Sequence, residues 1–193
     1  MSASMQKLCN MKQDNLKVFF SGGGTLGPVT PLLAVHEVLA GEYKTAEFLW
    51  VGTKRGPERA LIEEKKIRFT TLSSGKFRRY LSIWNVVDIG RIIVGFFQSL
   101  QLLWREKPDV CISAGGFISV PLHVTAWFMG IPTWIHQQDL QVGLANKIMA
   151  PFATKITTAL EVQVRAFSQK KTIWLGNPVR KDIISGKKSV AHK

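Results

Sequence analysis

The feature that most constrains this chain is the regular alternation of short apolar runs with longer helical patterns. Seven runs of five or six residues are filled almost continuously with apolar and β-branched residues, as in strands buried on both faces of a parallel sheet. We therefore predict an α/β fold, a doubly wound, Rossmann-like parallel sheet with right-handed crossovers. The predicted strands are residues 16–20, 47–52, 67–72, 109–114, 132–137, 154–159 and 172–176, and the predicted helices are residues 29–40, 57–66, 82–105, 118–129, 142–151 and 161–168.

Composition limits the classes of protein to which this chain can belong. Its 193 residues suit one domain, and an apolar content of 46% is enough for a sizeable core. The net charge of +13 favours an anionic partner such as nucleic acid, an acidic membrane or a phosphorylated substrate. The sequence has no RNA-recognition signature and no zinc-finger spacing, so we expect no nucleic-acid partner.

Three further features indicate the compartment. Cys9 and Cys111 are the two cysteines, which make no disulfide framework and suit a reducing cytoplasm. The N-terminus lacks the apolar core of a signal peptide. The longest uncharged apolar stretch, residues 92–104, has 13 residues, fewer than the roughly 20 that cross a bilayer. We expect a soluble or peripheral cytoplasmic protein.

A basic and aromatic segment precedes the longest predicted helix. Cations and aromatic rings at the start of an apolar helix suit an anionic bilayer surface, with the rings at the headgroup level. The alternative is a core helix preceded by a solvated basic loop. The candidate membrane contacts are Lys76, Phe77, Arg78, Arg79, Tyr80 and Trp84.

A glycine-rich turn, "GGGTLG", joins the first predicted strand to the first helix. Missing side chains there allow backbone N–H groups and the helix N-terminus to face an anion. Gly22, Gly24 and Gly27 also fit the dinucleotide fingerprint, although Lys54 and Arg55 stand where an acidic residue is expected. An NADP-binding oxidoreductase domain is therefore one alternative, and a tight turn without a ligand is another.

Three more polar loops follow predicted strands. They are "SAGGFISVP" at residues 113–121, "HQQDLQVGLANK" at 136–147 and "GNPVR" at 176–180. Open α/β sheets bind ligands at the carboxyl ends of their strands, so we expect these loops to lie around one site. No paired-carboxylate D-x-D motif precedes a strand end, and we expect no metal.

From about residue 16 to 182, these ordered motifs resemble the N-terminal half of MurG-type glycosyltransferases. The resemblance implies the GT-B fold, in which two α/β domains face each other across a cleft. It implies inverting transfer of N-acetylglucosamine from its UDP conjugate to lipid-linked muramyl-pentapeptide, which converts lipid I to lipid II in peptidoglycan synthesis. The implied partners are the UDP-sugar donor, the lipid-linked diphosphate acceptor and the anionic inner face of the plasma membrane, with no other cofactor.

The resemblance also implies which residues contact substrate, with donor contacts on Thr25, Leu26, Gly27, Asp139 and Arg180. The backbone amides of the glycine loop, at a helix N-terminus, also suit the acceptor diphosphate. The full set of candidates is Gly23, Gly24, Thr25, Leu26, Gly27, Gly115, Gly116, Gln137, Gln138, Asn146, Asn177 and Arg180.

The sequence departs from the family pattern at four positions in these loops. The family usually has histidine at Pro28, glycine at Leu26, glutamate at Gln137 and asparagine at Asp139. An inverting transfer needs a base for the attacking hydroxyl, and neither proline nor a neutral amide serves. Asp139 and His136 are the titratable groups left in these loops, and both are candidate bases.

We predict an N-terminal extension at residues 1–15, an acceptor domain at 16–180, and a linker with a basic tail at 181–193. The donor domain of the family is absent from this sequence. Either a second polypeptide supplies it, which is the arrangement that we expect, or the sequence is a fragment, or the protein no longer catalyses. A related eukaryotic transferase, which makes the chitobiose of dolichol-linked glycans, has its two halves on separate chains. The alternative is a non-catalytic domain that binds a sugar nucleotide or a lipid diphosphate.

Overall fold

The computed structural model describes residues 15–75 and 84–180, with the backbone alone for residues 84–89. Seven parallel strands form one sheet over these ranges, in the order β3-β2-β1-β4-β5-β6-β7. The strands are β1 Lys17–Ser21, β2 Glu47–Gly52, β3 Arg68–Thr71, β4 Val110–Ser113, β5 Thr133–Gln137, β6 Lys155–Thr158 and β7 Thr172–Trp174. The α-helices are α1 Val29–Glu42, α2 Glu58–Glu64, α3 Trp84–Glu106, α4 Ser119–Phe128 and α5 Leu144–Met149. The predicted Rossmann-like α/β fold is confirmed.

The strand order reverses direction at the middle of the sheet. Strands β2 and β3 lie on one side of β1, whereas β4 to β7 lie on the other side. The loops that leave β1 and β4 therefore start side by side at the carboxyl edge and run away from each other. Such a switch point leaves a crevice, which is the usual ligand site of open α/β sheets.

Apolar side chains bury both faces of the central strands. Phe19 and Phe20 are adjacent in β1 and point to opposite faces, yet both are fully buried. Phe20 packs in the core that includes Leu32 of α1, whereas Phe19 packs with Leu103 of α3 and Leu122 of α4. This two-sided burial explains why the strands read as continuous apolar runs.

Proline begins two of the helices. Pro28 directly precedes α1 with φ of −63°, and Pro57 directly precedes α2 with φ of −69°. Proline suits a helix start because its fixed φ is already helical and its missing N–H would have no intrahelical partner there. Pro28, where the resemblance leads us to expect histidine, therefore marks the start of a helix in this chain.

One predicted helix has a different form. Residues 161–168 were predicted as a helix, and the structure has a 3₁₀-helix at Glu161–Ala166. Its backbone bonds span three residues, as from Gln163 N to the Leu160 carbonyl oxygen at 3.2 Å. The segment connects β6 to β7 in a single short stretch, and short connectors are the usual place of 3₁₀ turns.

Part of the sequence prediction falls outside the described residues. Residues 76–80 of the candidate membrane segment are not described, and only the backbone of Trp84 is, as the first residue of α3. The ranges 1–14 and 181–193 also lie outside the description, so the predicted domain boundaries stay predictions. No helix in the described ranges is long and apolar enough to cross a membrane.

Replacing Phe19 with alanine tests the two-sided core. The ring is fully buried against α3 and α4, so we expect Phe19→Ala to lower the free energy of unfolding by about 3–5 kcal/mol. Phe128→Ala is the matched control, because that ring is 73% exposed, and its cost is expected to stay below about 0.5 kcal/mol. Urea unfolding measures both variants, and equal losses would contradict the described packing.

Candidate substrate-binding site

The first glycine loop connects β1 to α1 and bends sharply at Gly24, where φ is +85°. In the described part of the chain, the amide groups of Thr25, Leu26 and Gly27 have no hydrogen-bond acceptor. They immediately precede a 14-residue helix, whose N-terminal end carries a partial positive charge. This loop therefore offers backbone donors to an anion at the carboxyl edge of the sheet.

A buried carboxylate, which was not among the predicted site residues, fixes the back of this loop. Glu58 is fully buried, and its Oε2 accepts a hydrogen bond from the Gly24 amide at 3.2 Å. Its Oε1 accepts bonds from the amide of Thr53 at 2.7 Å and from the Thr53 hydroxyl at 2.5 Å. A Cβ on Gly23 or Gly56 would overlap the carboxylate. The glycines of "GTKRGPE", residues 52–58, are the signal that could have revealed it.

The second glycine loop follows β4 and packs directly against the first. Gly115 and Gly116 have φ values of +110° and +90°, which favour glycine. A Cβ on Gly116 would lie 3.1 Å from the carbonyl oxygen and 3.4 Å from the nitrogen of Gly23. The two backbones therefore meet across the switch point, and a side chain at Gly116 would push them apart.

The third loop follows β5 and is organised by buried amides. Nδ2 of Asn146, on α5, donates to Gln137 Oε1 at 2.7 Å and to the His136 carbonyl at 3.2 Å. The side-chain Nε2 of Gln137 in turn donates to the backbone carbonyl oxygen of Asp139 at 2.6 Å. A Cβ added to Gly27 would lie 3.2 Å from Nε2 of Gln138, so the third loop also approaches the first.

His136 is buried and hydrogen-bonded at both ring nitrogens. Nε2 lies 3.2 Å from Asn177 Oδ1, and Nδ1 lies 2.9 Å from the hydroxyl oxygen of Thr157. The Trp134 indole donates to that same hydroxyl at 2.8 Å, which leaves the Thr157 proton for Nδ1. Burial lowers the pKa of His136, although the bond to Asn177 acts in the opposite direction. The ring is therefore a neutral link between β5, β6 and the loop after β7.

The remaining candidates lie on the surface of these loops. Asp139 is exposed, Leu26 is half-exposed, and Arg180 lies half-buried three residues after Asn177. Non-glycine residues with positive φ in the described ranges are confined to Asn15, Lys66 and Lys107, so Leu26 takes the family's glycine position without a left-handed backbone. The described ranges contain no cluster of three or more His, Cys, Asp or Glu residues that could hold a metal ion.

The geometry thus brings together three of the predicted loops around the β1–β4 switch point, with Asn177 joined to them through His136. The sequence profile of the glycosyltransferase family 28 N-terminal domain matches residues 18–158. The chain belongs to this family. Membership decides against the alternative of an NADP-binding oxidoreductase domain.

Curated relatives carry the name UDP-N-acetylglucosamine–N-acetylmuramyl-(pentapeptide) pyrophosphoryl-undecaprenol N-acetylglucosamine transferase. The Clostridium kluyveri protein is 36% identical over 177 residues, which is 92% of this chain and 50% of that relative. The Staphylococcus aureus USA300 protein is 40% identical over 173 residues, 88% of this chain and 48% of the relative. This chain therefore spans about half the length of the curated relatives that it matches.

Solved structures show the same fold. The crystal structure of Acinetobacter baumannii MurG matches with a TM-score of 0.70 at 22% identity, covering 88% of this chain and 47% of that one. UDP-GlcNAc 2-epimerase from Neisseria meningitidis, bound to UDP-GlcNAc, matches with a TM-score of 0.60 at 14% identity, covering 85% and 47%. The chain thus has the fold of one half of each of these proteins.

Replacing Glu58 with glutamine tests its role behind the glycine loop. A glutamine side chain at this position must point its NH₂ group at the backbone N–H of either Gly24 or Thr53. Because both of these groups are donors, one of the present hydrogen bonds is lost. We expect Glu58→Gln to lower the free energy of unfolding by about 1–3 kcal/mol and to speed hydrogen exchange of the Gly24 amide.

Glu64→Gln is the control for this experiment, since Glu64 is exposed at the end of the same helix. Urea unfolding and amide exchange measured by NMR report the two effects separately. If the Gly24 amide exchanges at the same rate in Glu58→Gln as in the control, the Glu58 carboxylate does not hold the first glycine loop.

Proposed function

We propose that this chain is the acceptor-binding and membrane-docking half of an N-acetylglucosaminyltransferase. The complete enzyme transfers N-acetylglucosamine from UDP-N-acetylglucosamine to lipid-linked muramyl-pentapeptide, and it needs a donor-binding half in addition to these 193 residues. The observation that carries this proposal is the meeting of three polar loops at the switch point of a family 28 domain. The names of the curated relatives support the donor and the acceptor.

The first glycine loop is proposed to bind the acceptor diphosphate. The amides of Thr25, Leu26 and Gly27 are without acceptors in the described residues and precede the N-terminus of α1. Backbone donors at a helix N-terminus suit phosphate oxygens. Arg180 is proposed to bind a donor phosphate or sugar oxygen through its planar guanidinium.

Asp139 is the proposed general base. Its carboxyl group is exposed on the third loop, where it can accept a proton from the attacking sugar hydroxyl. His136, the second candidate, is buried with both nitrogens engaged, so we assign it the role of orienting Asn177. A neutral imidazole with Nε2 as donor suits that positioning role better than proton abstraction.

Transfer of labelled N-acetylglucosamine to a lipid I analogue tests the proposal. We expect product when the chain is mixed with an extract of its source that lacks it, and none from either alone. Asp139→Asn is expected to lower the rate by about 10²–10⁴-fold. Glu161→Gln is the control, because that carboxylate is exposed on the 3₁₀-helix before β7.

Each other outcome has a definite meaning. Product from the chain alone would contradict the requirement for a donor-binding half. An absence of product in the mixture, with UDP-sugar or lipid diphosphate still bound, would leave a non-catalytic binding domain. An unchanged rate for Asp139→Asn would exclude that carboxylate as the base.

Membrane docking is proposed for the exposed face of α3. Four large apolar residues recur there at helical spacing: Ile93, Phe97, Leu100 and Trp104. Phe97 is 69% exposed and Trp104 is 71% exposed, which is costly in water but favourable in the acyl region of a bilayer. The net charge of +13 adds attraction to anionic lipids.

Replacing both large aromatics tests this docking face. The Phe97→Ser and Trp104→Ser double variant is expected to bind vesicles containing anionic phospholipid at least about tenfold more weakly, because it loses two inserted apolar side chains. Val162→Ser is the control, since Val162 is 61% exposed on a different element. Vesicle flotation measures the binding. Equal binding by the wild type, the double variant and the control would exclude α3 as the docking helix.

A further inference from the structure

We infer that Gln137 and Gln163 form an amide clamp that fixes the backbone at Asp139 and thereby positions its carboxylate at the mouth of the site. This inference rests on the proposed function, in which Asp139 is the base. It assigns positioning roles to two residues that touch no reacting atom.

The two amides converge on one carbonyl oxygen. Nε2 of Gln137 donates to the Asp139 carbonyl at 2.6 Å, and Nε2 of Gln163 donates to the same oxygen. A carbonyl oxygen has two lone pairs, so both of its acceptor sites are occupied. Gln137 lies at the end of β5, whereas Gln163 lies in the 3₁₀-helix before β7, so Asp139 is held from two separate elements.

Each glutamine is itself fixed at its other end. Oε1 of Gln137 accepts from Asn146 at 2.7 Å, and its Nε2 donates a second bond to the Gln141 carbonyl at 3.1 Å. Oε1 of Gln163 accepts from the Leu160 amide at 3.0 Å. Gln137 is 1% exposed and Gln163 is 2% exposed, so water does not compete for these bonds.

The clamp explains why an exposed loop residue has a defined place. Asp139 has an exposed side chain, whereas its carbonyl is tied to two buried amides. The bonds fix the Cα from which the carboxylate projects while leaving the carboxylate itself in water. A general base needs this combination, because it must be ionised and also held close to the hydroxyl that it deprotonates.

The amide chemistry at position 137 is specific. A glutamate there, as in the usual family motif, would place a carboxylate against the carbonyl oxygens of Asp139 and Gln141, where only a donor is accommodated. The clamp is therefore a property of this chain's own loop sequence. Gln163 could not have been linked to Asp139 from the sequence, because the two residues are 24 positions apart.

The first test measures the loop in the full chain alone, independently of activity. ¹⁵N relaxation gives the order parameter of the Asp139 amide, which we expect near ~0.85, the value of rigid backbone, and below ~0.6 in Gln163→Met. Gln141→Met is the matched control, since its side chain is exposed in the same loop, and should keep the wild-type value. Gln137→Met removes the second amide and should have the same effect as Gln163→Met.

Gln163→Met is the primary variant because it leaves the Gln137–Asn146 pair in place, and thermal unfolding checks that it folds. A flexible wild-type loop, or a folded Gln163→Met variant with a rigid Asp139, would overturn the clamp. If that variant does not fold, Gln163→Glu provides the same test, since it keeps the acceptor for Leu160 and loses the donor to Asp139.

The second test separates positioning from general stability. In the transfer assay, Gln163→Met should lower kcat by about tenfold to a hundredfold at saturating donor, and should have no further effect in the Asp139→Asn background. Equal losses in both backgrounds would overturn the positioning role. Absence of transfer by the wild-type mixture would instead refute the proposed function, and the relaxation measurement would still decide whether the clamp exists.

Discussion

The close approach of two backbones, at Gly23 and Gly116, is the constraint on which the site depends. Strands β1 and β4 are neighbours in the sheet, and their loops leave it in opposite directions. The helices that follow, α1 and α4, therefore pack on opposite faces, as the separate cores around Phe20 and Phe19 show. A side chain at position 116 would meet the Gly23 backbone at 3.1 Å, so the crevice between the helices needs glycine there. The loops around it can then approach a ligand through backbone groups.

Buried polar side chains give these loops their shape. Glu58 holds the first loop through the Gly24 amide, Asn146 joins the third loop to α5, and Gln163 reaches the third loop from the other side. Each of these groups bonds to backbone or to another buried amide, which offsets part of the cost of burying polar side chains, although Oδ1 of Asn146 has no partner among the described residues. The loop surface stays open to a substrate because its internal hydrogen bonds lie beneath it.

The sequence predicts the sheet well because its signal is local. A continuous apolar run such as "VCI", residues 110–112, is typical of a strand buried on both faces of a parallel sheet, and a glycine turn after it marks the ligand-binding edge. The contributions of Glu58 and Gln163 are not predictable in the same way. Glu58 stands at a helix start among charged residues, where an acidic side chain is usually solvated. The glycines around it, Gly52 and Gly56, are the only local sign of its buried position. Gln163 bonds to a residue 24 positions away, and no local pattern encodes that bond.

Positions 137 and 139 of the third loop have opposite environments and complementary roles. Position 137 is buried and faces two carbonyl oxygens, so a neutral amide donor fits it and an ionised carboxylate would be repelled. Position 139 is exposed, so its side chain is open to a substrate while its backbone carbonyl is held from below. The buried amide at 137 thus holds the backbone from which the exposed side chain at 139 projects.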